Sequence, residues 1–241
     1  MQSIHVYDDP ELLAQAVADA FIAYGREALE SHGEYWVALA GGTTPKAAYT
    51  LLAQPPRRSQ LDWSRIRVFF GDERCVPPDD IESNFRMASQ AFLDLNVPDE
   101  NVYRIRGEND PADAAADYAN LLISLMGMQP RFDLIMLGMG PDGHTASLFP
   151  GTDPRLDEEQ LVRAVWVQEK QTHRITLTPA VINASHHVII AAEGDGKAAM
   201  LKTVLEGPRE PVRYPVQIVE PQNGTLEWFV DRDAARYLTA K

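Results

Sequence analysis

A chain of 241 residues, 45% hydrophobic and 24% charged, has enough apolar material for a substantial core and falls outside disordered and fibrous compositions. Its 35 Asp and Glu against 22 Lys and Arg give a formal net charge of −13, which sets long-range electrostatics against nucleic acid and anionic membranes as partners. One cysteine, Cys75, excludes an internal disulfide and a multi-cysteine metal site, and with no leader pattern and no window near the roughly 18 apolar residues of a spanning helix, a cytoplasmic protein is expected.

In chain order, "SIHVY" reads as a strand, Pro10 to Ser31 as a helix, "YWVALA" as a strand, and a helix starts at Pro45. There follow a strand at "IRVFF", a helix from Asn84 to Leu95, a helix from Pro111 to Met126, and strands at "FDLIML" and "HRITL". A short helix at "TPAVINA", a strand at "HHVIIAA", a helix from Gly196 to Leu205 and a strand at "VQIVE" complete the series. Strands such as "VALA" and "LIML" are apolar at consecutive positions, as when helices cover both faces of a parallel sheet. The expectation is one α/β domain over residues 1–241, doubly wound, with a mostly parallel sheet and helices on both faces. Its 17 prolines fall mostly between these elements.

In open α/β sheets, ligands sit beyond the carboxyl ends of strands, and four stretches lie there. In "LAGGTTPKAAY", Gly41 and Gly42 end a strand, Thr44 is placed to cap the next helix, and Pro45 suits its first turn. Free N–H groups at such a start attract anions, but the G-x-x-x-x-G-K-[ST] spacing is missing, so a small phosphate fits better than a nucleotide. In "FFGDERCVPPDDIESNFRMA", Asp72, Glu73 and Arg74 follow a buried strand, a costly placement unless they are solvated or used. A tight turn and a surface ion-pair cluster are the plain alternatives at these two stretches.

The third stretch, "GMGPDGHTASLFPG", contains a literal G-x-G-x-x-G in Gly138, Gly140 and Gly143. Dinucleotide binding requires a long helix after the third glycine and an acid ending the next strand. Here Pro150 and Gly151 stop any helix, and Asp157 to Glu159 fall in a loop, so the glycines are read as allowing backbone close to a small ligand. His144, two residues after Asp142, has the grammar of a general base held by a carboxylate, whereas His5, His32, His173, His186 and His187 read as structural or solvated. The fourth stretch joins Arg174 in "HRITL" to "AAEGDGKAAML", where Lys197 sits in a helix's first turn, a place disfavoured for a cation unless an anion is near. Cys75 reads as a small buried hydrophobe. No H-E-x-x-H or G-x-S-x-G occurs, which argues against a zinc hydrolase and a serine mechanism.

Taken together, these motifs and "HRITLTPAVINAS" resemble the 6-phosphogluconolactonase family, in order from residue 39 to 201. That family is similar to the glucosamine-6-phosphate deaminases, whose pattern reads "DGHIAFNEPG" with a glutamate where this chain has Phe149, and D-E-Y where it has Arg74. The resemblance implies hydrolysis of 6-phospho-D-glucono-1,5-lactone, a small phosphorylated sugar lactone, with no cofactor and no metal. It implies His144, Asp142 and Arg74 as catalytic residues, with backbone N–H groups around Gly143 beside the oxyanion. It also implies Asp72 and Asn84 on the sugar, and Gly41, Gly42, Thr43, Arg174 and Lys197 around the phosphate. A sugar-phosphate isomerase or deaminase and a non-catalytic binding module are the rival readings, and a monomer or small homo-oligomer is expected.

Overall fold

The structure, a computed structural model, describes residues 2–93, 97–151 and 160–239. Its strands are β1 (Gln2–Tyr7), β2 (Tyr35–Leu39), β3 (Ile66–Phe70), β4 (Asp72–Arg74), β5 (Leu134–Gly138), β6 (Val162–Val167), β7 (Thr172–Leu177), β8 (His187–Ala192) and β9 (Thr225–Asp231). The α-helices are α1 (Pro10–Ser31), α2 (Thr43–Leu52), α3 (Asn84–Ala88), α4 (Pro111–Met126), α5 (Pro179–Ala184) and α6 (Ala198–Glu206). None of the described helices is long and apolar enough to cross a membrane.

The start of α1 follows from two residues: Asp9 accepts the Leu12 N–H at 2.8 Å, and Pro10 occupies the first turn, where its missing donor costs nothing. Its apolar stripe through Leu13, Val17, Phe21 and Ile22 is buried. Helix α4 repeats the device with Asp110 and Pro111, and stops at Gly127, whose φ of 81° is open to glycine.

Six strands pair in the order β1-β9-β8-β5-β2-β3, all parallel. The chain runs outward from β2 to β3, then crosses back to β5 and proceeds through β8 to β9, so the winding reverses between β2 and β5. That reversal opens a crevice beyond the carboxyl ends of the two strands. The central strands are buried almost throughout, which is why they read as unbroken apolar runs. A second, antiparallel sheet in the order β4-β7-β6 hangs on the first through Gly71, which donates to the Leu39 carbonyl at 2.9 Å and accepts from Leu177 N–H at 2.8 Å.

Several expectations change. "VQIVE" forms no strand: Pro215–Ile218 is a 3₁₀ turn that buries Val216 and Val219 three residues apart, the helical rather than the extended period. The last parallel strand is instead β9, "TLEWFVD". "HRITL" is antiparallel and pairs with β6, a strand the sequence reading passed over. Helix α2 begins at Thr43 with Gly42 in the cap position at φ 105°, so Thr44 lies inside the helix and caps nothing. Helix α3 continues as one π-helical turn, Ser89–Leu93, while Leu95 and Asp157 to Glu159 lie outside the described residues.

Candidate active site

A cavity of about 330 Å³ fills the crevice at the winding reversal. Of the residues singled out in the sequence, His144, Arg74, Gly41, Gly42, Thr43, Asp72, Arg174 and Lys197 line it. Asp142, Asn84 and Gly143 stand behind that lining and act on it.

The loop after β5 builds the first wall. His144 Nδ1 lies 2.5 Å from Asp142 Oδ1, and the His144 backbone N–H donates to the same oxygen at 3.2 Å. Partial burial alone would push the Asp142 carboxyl up, but the facing imidazole and these hydrogen bonds hold it below its ordinary value. An ionised Asp142 fixes the proton on Nδ1 and leaves Nε2 as the acceptor. Gly140 makes this possible, because a Cβ there would stand 2.5 Å from Asp142 Oδ1 and closer still to the His144 ring. The glycine therefore makes room for a side chain of the protein, and its backbone also lines the cavity. Gly143 has φ 82° and donates its N–H to the Gly140 carbonyl at 3.1 Å, so that N–H is already engaged and is not free for an oxyanion. On its other side the His144 ring meets Phe149, centroids 4.6 Å apart, and the Arg174 guanidinium lies 5.6 Å from the Phe149 centroid.

Strand β4 forms the second wall and sorts its three charges by strand alternation. Asp72 and Arg74 line the cavity, while Glu73 turns away and takes the N–H groups of Asn84 and Phe85 at 2.7 and 2.8 Å at the start of α3. Burial raises the Glu73 carboxyl above its ordinary value, against these backbone donors. Asp72 is buried, accepting from Ser147 Oγ at 2.6 Å and Asn84 Nδ2 at 3.1 Å. Asn84 packs where a Cβ on Gly41 would collide with its amide, so it positions Asp72 and Gly41 from behind. Arg74 and Arg174 are direct cross-strand partners, a like-charge register that is unfavourable unless an anion lies between them. Both Nε atoms are buried without a hydrogen-bond partner among the described residues. Burial, and Arg74 beside it, lower the Arg174 pKa against the pull of Asp72. The Arg74 guanidinium also donates to the Glu82 carbonyl.

The third wall is the start of α2 and the loop after β8. No side chain caps α2, and its first turn carries no acid. Lys197 closes a 3₁₀ turn, Asp195–Lys197, at the entrance to α6, with its pKa lowered by burial although Asp142 pulls it upward. Buried Asp231 fixes that turn by accepting the Gly194 N–H at 3.0 Å on each carboxylate oxygen. Glu193 lines the cavity and accepts the Thr43 hydroxyl at 3.1 Å. Asp231, Ser147 and Glu193 were not singled out in the sequence. The first two serve through contacts 37 and 75 residues away, beyond any local pattern. Glu193 does follow a strand, inside the stretch "AAEGDGKAAML" that also holds Lys197.

The fold and site thus define a doubly wound α/β protein with a carboxylate-held histidine and a cationic pocket at its winding reversal. The chain belongs to the family described as glucosamine-6-phosphate isomerases/6-phosphogluconolactonase, which matches residues 8–228. It is similar to a 6-phosphogluconolactonase of Aggregatibacter actinomycetemcomitans, 35% identical over 93% of this chain and 94% of the relative. It superposes on the 6-phosphogluconolactonase structure from Trypanosoma brucei with TM-score 0.85 at 28% identity, covering 99% of both chains. A monomeric glucosamine-6-phosphate deaminase superposes with TM-score 0.84 at 20% identity, covering 97% of this chain and 99% of that one, a likeness of fold alone.

Proposed function

We propose that this protein hydrolyses 6-phospho-D-glucono-1,5-lactone to 6-phosphogluconate, the second step of the oxidative pentose phosphate pathway. The observation that carries this reading is the His144–Asp142 pair, with Nε2 left over on a cavity that collects Arg74, Arg174 and Lys197 in an otherwise acidic protein. His144 Nε2 takes a proton from water as its oxygen attacks lactone carbon C1. The tetrahedral oxyanion forms against the Arg74 guanidinium, since the Gly143 N–H is committed to Gly140. The bond from C1 to the ring oxygen then breaks, the ring oxygen takes the proton back from His144, and the new carboxylic acid ionises and releases one proton. The lactone opens slowly by itself, so one base and one charge stabiliser suffice without a covalent intermediate. The phosphate sits at the start of α2, with the Gly42 and Thr43 N–H groups, Lys197 and Arg174 around it.

A deaminase of the same fold is the second reading, and Phe149 weighs against it. Its ring packs against both His144 and Arg174, at the position where the deaminase pattern has a glutamate.

The test is proton release on adding the protein to fresh 6-phosphogluconolactone in weak buffer, with chelator and without. Wild type is expected to accelerate release and His144→Ala to lower kcat by about 10²-fold or more. A wild-type rate equal to buffer transfers the assignment to a binding module. Lys197→Ala and Arg174→Ala are expected to raise KM mainly, and an unchanged KM in either removes that residue from the phosphate.

A further inference from the structure

Among the described residues two carboxylates line the cavity, and they are held very differently. Asp72 is buried, takes hydrogen bonds from Ser147 and Asn84, and lies in the field of Arg174. Glu193 is half-buried, and its one hydrogen bond among the described residues comes from Thr43 Oγ1 at 3.1 Å. Among the described residues no Lys, Arg or His nitrogen lies within 4 Å of it. The carboxylate therefore stands without an ion-pair partner among the described residues, beside the first residue of α2. Its backbone is fixed there, because the next residue, Gly194, is tied to Asp231. A carboxylate is favoured near helix N-terminal N–H groups for the same reason as a phosphate.

We infer that Glu193 is a specificity-determining residue: its carboxylate competes with the substrate phosphate for the Thr43 hydroxyl and the start of α2, and so holds down affinity for phosphorylated ligands. The inference rests on the phosphate position proposed above. Substrate and product carry the same phosphate, so the penalty falls on both alike and appears in binding rather than in the chemical step. A lactone without phosphate does not meet the competition.

The probe is inorganic phosphate, titrated calorimetrically into wild type, Glu193→Gln, Glu193→Ala and Lys197→Ala. Glutamine keeps an acceptor for Thr43 and removes the charge, so Kd is expected to fall about fivefold to tenfold, and alanine is expected to tighten binding as well. In kinetics, Glu193→Gln should lower KM for the phosphorylated lactone and Ki for 6-phosphogluconate by a common factor, with D-glucono-1,5-lactone unaffected. Should Lys197→Ala weaken phosphate binding while Glu193→Gln leaves it unchanged, the competition is refuted and the subsite stands. Weaker binding in Glu193→Ala with no change in Glu193→Gln also refutes it and makes Glu193 a mere support for Thr43. Phosphate binding indifferent to Lys197→Ala overturns the subsite and this inference with it.

Discussion

Gly41 and Gly140 sit where protein side chains pass close to backbone, the Asn84 amide at one and the His144 ring at the other. Gly140 has no left-handed φ, so alanine there is not strained in the backbone; its methyl group meets the His144 ring and the Asp142 carboxylate and so parts the pair. Gly140→Ala is accordingly expected to fold, to lose about 10²-fold in kcat, and to change KM far less, because the side of the cavity proposed for the phosphate is untouched. Steady-state kinetics beside a thermal melt check this, and an unchanged kcat would separate Gly140 from the catalytic pair. By contrast, Cys75 takes no part: burial, with Glu73 and Asp110 nearby, pushes its thiol up to about 11, far from thiolate at neutral pH.

The elements show what was legible and why. Strands β2, β3, β5 and β8 and helices α1 and α4 announce themselves because buried parallel strands are apolar runs and both helices start on an Asp-Pro pair. The loops that follow β2, β5 and β8, where the catalytic and anion-binding candidates were sought, are the loops that meet. Strand β9 was missed because Glu227 interrupts it, yet that carboxylate is used, accepting from His5 Nε2 at 2.8 Å on the neighbouring strand. "VQIVE" reads as a strand because Val216, Ile218 and Val219 make a short apolar run, whereas burial falls on Val216 and Val219, a helical spacing. The end of β8 away from the cavity carries two adjacent histidines, His186 and His187. His187 stacks on Tyr24, centroids 3.9 Å apart, shares a hydrogen bond with Thr225 Oγ1, and faces Glu27 across 3.6 Å, with His186 and Asp133 nearby; His186 in turn has Arg131, Asp133, His32 and Glu27 around it. Burial lowers both His186 and His187 below the ordinary imidazole value. The unfolded chain therefore takes up protons first, so this contribution to stability is present above about pH 6.5 and is lost as pH falls through and below that value. Urea midpoints measured from pH 7.5 to 5 should show the gap between wild type and His187→Gln closing as pH falls. A constant gap would show that His187 does not titrate with unfolding.

For the whole molecule, the sign of the charge differs between near and far. A dianionic substrate meets a net charge of −13 at long range and the cations Arg74, Arg174 and Lys197 only inside the cavity. Screening lengths of about 30 Å at 0.01 M salt and about 10 Å at 0.1 M separate the two effects, since the cavity's contacts are shorter than either length while the summed surface field is not. Added KCl should first remove the repulsion and leave the local attraction, so kcat/KM is expected to rise about twofold to threefold between 0.01 and 0.1 M. It should fall again near 1 M, where the screening length of about 3 Å reaches into the cavity itself. Rate measurements on 6-phosphogluconolactone across that range, with D-glucono-1,5-lactone as the uncharged reference, decide it. A steady fall from the lowest salt upward would mean that the cavity's cations project beyond its mouth and steer the substrate inward, which reverses the argument from net charge.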